Sequence, residues 1–97
     1  MDLFSEVQEF ASWKPVGNPQ KLTESSLYPS VDHITVVETE EFGNSFCFYM
    51  KNGNTRRIFA SRDCKLEAGD SVNPQTVTIQ QFEREGEYCL KANGSKL

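Results

Sequence analysis

The sequence predicts a mainly β fold: a small five-stranded antiparallel barrel preceded by an N-terminal helix. Three observations carry this expectation. From residue 32 onward, apolar residues recur at alternate positions in short runs, the period of a half-buried strand. Turn-forming residues separate these runs at 40–44, 51–54, 66–70 and 84–86. Residues 2–13 instead carry apolar residues at helical spacing. Five short strands leave exposed edges unless the sheet closes on itself, so a barrel is the expected arrangement.

The helix over 2–13 takes Asp2 or Ser5 as its cap, Glu6 in its first turn, and Leu3, Val7, Phe10 and Ala11 as its apolar stripe. Pro15 ends it, because the residue before a proline avoids helical angles. The stripe suits either packing on the sheet or a partner-binding arm. Residues 15–31, punctuated by Pro15, Gly17, Pro19 and Pro29, are expected to be an ordered but irregular linker.

Strands follow at 33–39, around Ile34 and Val36, and at 45–50, with Phe46, Phe48 and Met50 on one face and Cys47 and Tyr49 on the other. Lys51-Asn52-Gly53-Asn54 predicts a type I′ hairpin turn, with positive φ at Asn52 and Gly53. The next strand carries Ile58 and Ala60 on the core face, and Arg57, Phe59 and Ser61 on the opposite face. Residues 76–82 and 87–92 form the last two strands, with Val77 and Ile79, then Tyr88 and Leu90, aligned. Residues 93–97 are expected to fray. The whole is one domain, with its barrel at 32–92.

Composition narrows the function. The net charge is −4 over 97 residues, but its distribution is uneven. Residues 1–44 have a balance of −6, residues 45–65 of +4, and residues 66–97 of −2. Local potential steers association more than the total does, so the basic centre can meet a polyanion. No apolar run has the length of a membrane span, and the acidic start lacks the basic region of a signal peptide, which predicts a cytoplasmic protein without membrane contact.

Cys47, Cys64 and Cys89 are widely spaced and His33 is the one histidine, a poor set for a metal site. No nucleophile–base pair or Gly-rich phosphate loop is present, so neither catalysis nor a cofactor is expected. Single-stranded nucleic acid, by contrast, is held by aromatic faces for bases and a basic surface for phosphates. Tyr49, Phe59, Arg56, Arg57, Lys51 and Arg62 supply both within one hairpin.

The strands at 34–38, 45–50 and 56–61, the segment Leu66-Glu67-Ala68-Gly69-Asp70-Ser71-Val72, and the strands at 76–82 and 87–90 resemble in layout the small oligonucleotide-binding (OB) fold proteins, including single-stranded DNA-binding proteins of small phages. The resemblance spans residues 31–92. It implies an OB-like barrel that holds single-stranded DNA or RNA on its second and third strands, with Tyr49, Arg57 and Phe59 as the platform and Lys51, Arg56 and Arg62 on phosphates. The competing expectation is a protein-interaction module, a phage- or plasmid-type adaptor or inhibitor. It would act through residues 1–31, with Phe4, Trp13 and Tyr28 exposed. A homodimer fits either expectation.

Overall fold

The computed structural model describes residues 13–40 and 43–97. The expected helix lies outside these residues, apart from Trp13. Seven strands appear in chain order: β1 Lys14–Lys21, β2 Val31–Thr39, β3 Gly43–Met50, β4 Thr55–Ala60, β5 Ser71–Val72, β6 Thr78–Arg84 and β7 Glu87–Asn93. They form one sheet in the order β1-β6-β7-β4-β3-β2-β5, curled into a half-barrel. The mainly β class agrees with expectation. The closed five-stranded barrel is corrected to seven strands in an open curl, with one parallel pair, β4 with β7.

The expected linker over 15–31 is corrected by β1. All eight of its residues are exposed, so no apolar alternation marks it as a strand. Pairing with β6 holds it instead, from Lys14↔Glu83 to Lys21↔Thr78. Pro15 and Pro19 are tolerated because β1 is the sheet edge, where a missing N–H costs no ladder bond. Where the register shifts between Val16 and Gln20, Gln80 Nε2 donates to the carbonyls of Val16 and Gly17, both at 3.1 Å.

β2, β3 and β4 form an antiparallel meander, and β5 returns to lie beside β2 through Ile34↔Val72 and Thr35↔Ser71. The spatial order β5-β2-β3-β4 is a Greek key. The tail is pinned rather than frayed. Asn73 N–H donates to Ser95 O and Leu97 N–H to Ser71 O, both at 2.9 Å, and Lys96 bridges to Val72. The tail and β5 thereby tie together one end of the curl.

The type I′ geometry expected at 51–54 is corrected. At the β3–β4 tip only Gly53 has positive φ, +90°. Gly53 N–H donates to Met50 O at 3.0 Å and Met50 N–H to Asn54 O at 2.8 Å, which closes a loop over Lys51, Asn52 and Gly53. This is a type I turn followed by a glycine bulge, not the expected type I′. The β6–β7 turn takes positive φ at both central residues, Glu85 at 50° and Gly86 at 84°, as type I′ requires.

The core sits inside the curl at its tied end: Leu22, Ile34, Val36, Phe46, Phe48, Val72, Val77 and Ala92. Full burial of one such large side chain contributes about 1.5–3 kcal/mol. Gly94 lets the tail close over this core, since a Cβ there would meet Val72 Cγ1 and Val77 Cγ2 at 3.2 Å each. Cys47 is buried, and Cys64 and Cys89 are half-buried free thiols.

Candidate nucleic-acid interface

Strand alternation sends Phe46, Phe48, Ile58 and Ala60 to the concave core and the intervening residues to the convex face. The register then decides which side chains are neighbours on that side, where Ser45 and Cys47 are buried. Tyr49 opposes Thr55, Cys47 opposes Arg57, and Ser45 opposes Phe59. Tyr49, Arg57 and Phe59 therefore share the convex face, as their parity predicts. Tyr49 and Phe59 are half-buried and Arg57 is exposed.

The other three expected contacts do not join them. Arg56 opposes Phe48 and projects to the concave side. Lys51 is exposed at the β3–β4 tip, where its N–H donates to Ser30 O at 2.8 Å. Arg62 follows the far end of β4, exposed in the next turn. A strand of this length spans about 20 Å, so Lys51 and Arg62 mark opposite ends of the face.

The convex face holds further residues that sequence reasoning missed. The imidazole of His33 stacks on the Tyr49 ring, with centroids 4.4 Å apart and planes 12° from parallel. His33 is exposed, and its Nδ1 lies 2.8 Å from Asp32 Oδ2. On β7, Lys91 opposes Phe59 in the parallel pair, and its Nζ lies 5.4 Å from the centre of the Phe82 ring. At the sheet edge, the Arg84 guanidinium lies 4.7 Å from the centre of the Trp13 ring. Cations over aromatic faces are held by the ring quadrupole.

The outward positions of β3, β4, β6 and β7 thus carry Arg57, Arg84 and Lys91 against one acid, Glu87. Alternation along β6 and β7 is visible in the sequence. The parallel β4–β7 pairing that brings it beside the first hairpin is not.

The buried Ser45 hydroxyl finds no hydrogen-bond partner among the described residues. Two carboxylates away from this face are held below the usual range. Asp70 accepts from Glu67 N–H at 2.9 Å and also feels Lys96, and Asp63 accepts from Ser61 Oγ at 2.7 Å. Among the described residues no group of acids, histidines and cysteines is placed to hold a metal ion, and no helix is long and apolar enough to cross a membrane. Compared with known proteins, the chain matches no family model, no curated protein and no solved structure.

Proposed function

We propose that this chain is a non-catalytic, OB-like protein that binds single-stranded nucleic acid on its convex face. The interleaving of cations with aromatic rings across β3, β4, β7 and β6 carries this reading. Bases stack on aromatic planes and phosphates pair with cations, so both kinds of group are needed on one surface. His33, backed by Tyr49, presents a flat, exposed plate for a base. Arg57, Lys91 and Arg84 are spread over successive strands where a backbone would track.

The Greek-key order supports the same reading. A partly open Greek-key barrel is the OB architecture, and it holds its oligonucleotide on the second and third strands. The corresponding strands of this Greek key are β3 and β4. The competing interaction module through residues 1–31 would have to act other than by strand addition at the β1 edge. β1 carries Pro15, Pro19, Lys14 and Lys21, devices that block edge-to-edge pairing.

The test is fluorescence anisotropy of labelled oligo-dT at 50 and 200 mM salt. Three phosphate contacts on a single strand predict a loss of affinity of roughly 20-fold over that range. Failure to bind at the lower salt overturns the proposal. So does binding that persists unchanged in the combined variant Arg57→Ala, Arg84→Ala, Lys91→Ala.

A further inference from the structure

The concave side carries a second surface that has Arg57 alone in common with the proposed convex-face contacts. β4 and β7 pair only at Phe59↔Lys91 and Ala60↔Ala92. Before those pairs the strands part, so 55–58 of β4 and 87–90 of β7 each have one strand neighbour among the described residues. Beside this fork lies a cavity of about 600 Å³, a volume typical of small-molecule sites.

Its body is apolar, built from Phe48, Met50, Ile58, Ile79 and Leu90. Tyr88 and Leu90, aligned on one face of β7, are 60% and 46% exposed, because the curl is open here. Val16, Leu27 and Leu90, three of the five large apolar residues left exposed among the described residues, all line this cavity. A concavity with a mainly apolar lining and a few polar groups has the makeup of a ligand pocket. Leu22 and Phe48, both buried, are part of the lining, so the cavity reaches the core.

Charge completes the description. Lys21, Arg56 and Arg57 line the cavity, and among the described residues no acid does, although the chain as a whole is acidic. Arg57, outward by register, reaches this lining because it sits on the unpaired stretch of β4. An apolar cavity with cations and, among the described residues, no acid in its lining complements an apolar tail with an anionic head.

We propose that this cavity binds an amphiphilic monoanion, a saturated aliphatic carboxylate. Its chain lies against Phe48, Met50, Ile58 and Leu90, and its head pairs with Lys21 and Arg56. Arg57 is common to the two surfaces, but Lys21 and Arg56, which take the head, are not part of the proposed nucleic-acid contacts, so either proposal can fail without the other.

The experiment is calorimetric titration of the full chain with octanoate, decanoate and dodecanoate, each below its micelle concentration. Burial of methylenes predicts an affinity gain of about fourfold for each one added. Dodecyltrimethylammonium, with the same tail and the opposite charge, should bind at least tenfold more weakly. The variant Lys21→Gln, Arg56→Gln should lose about tenfold or more for dodecanoate, the scale of a charge-assisted hydrogen bond. Leu90→Asp should abolish binding. These three residues are exposed, so the fold should survive, which circular dichroism checks. The proposal is overturned by absence of the chain-length trend, by equal binding of the cationic amphiphile, or by unchanged affinity in the Lys21, Arg56 variant. Displacement of dodecanoate by oligo-dT overturns the separation of the two sites.

Discussion

His33 of β2 and Tyr49 of β3 stack nearly parallel across the strand pair, with ring centres 4.4 Å apart. The exposed imidazole forms the outer plate and the half-buried phenol supports it from behind. Neither ring alone makes this platform. The register that sets His33 opposite Tyr49 does.

That relationship predicts coupled losses of binding. Tyr49→Ala and His33→Ala should each weaken oligo-dT binding by roughly 5- to 150-fold, the range for one base–aromatic stack. The double variant should lose little more than the worse single one, because both rings serve one plate. Anisotropy titrations of the three variants check this. Fully additive losses would show that the rings act separately.

The β6–β7 turn contains a removable strain. Glu85 is the described non-glycine residue with positive φ, 50°, a conformation that costs a side-chain-bearing residue about 1–2 kcal/mol. Asparagine tolerates it better, so Glu85→Asn should stabilise the fold by roughly 0.5–1 kcal/mol. A higher urea midpoint with an unchanged m-value is the expected result.

The Ser45 hydroxyl is buried, 0% exposed, and among the described residues no hydrogen bond satisfies it. An unpaired buried polar group costs about 1–3 kcal/mol. Ser45→Ala should therefore raise stability, by about 1 kcal/mol once the small loss of packing is counted. Equilibrium urea unfolding measures it, and a destabilised variant would mean that the hydroxyl is satisfied in solution.

Asp70 makes stability depend on acidity. The N–H of Glu67 and then Lys96 hold its carboxyl below its ordinary value. A depressed folded-state pKa contributes stability that is present above the unfolded value and is lost as pH falls through the folded one. Asp63, lowered first by Ser61 Oγ, acts in the same direction. Wild-type stability should decline as pH drops below about 4, the ordinary Asp range. Asp70→Asn should be less stable than wild type at pH 7 and should show a shallower acid decline, read from denaturation midpoints between pH 2 and 7.

Much of the strand content was legible because burial on one face imposes alternation. Ile34 and Val36, Phe46 and Phe48, and Ile58 and Ala60 mark β2, β3 and β4, and they do point to the core. The same parity placed Tyr49, Arg57 and Phe59 together, and the register keeps them so. β1 left no such mark, since all eight residues are exposed and an edge strand accepts prolines. The Asn-Gly turn departed from its expected type for a different reason. Asn-Gly favours positive φ at both residues, but the loop over 51–53 is also anchored to Ser30, a constraint from a distant segment.

What the sequence by itself determined is local: which stretches alternate, which face of each is apolar, and where the chain must turn. Those follow from side-chain chemistry at fixed backbone periods. Only the tertiary structure decided what meets across distance. The parallel β4–β7 pair sets Phe59 beside Lys91, and the β1–β6 edge supports the contact of Trp13 with Arg84. The fork between β4 and β7 opens the cavity that gathers Lys21 and Arg56. Such contacts depend on the hand and closure of the whole sheet, which no short window of sequence encodes.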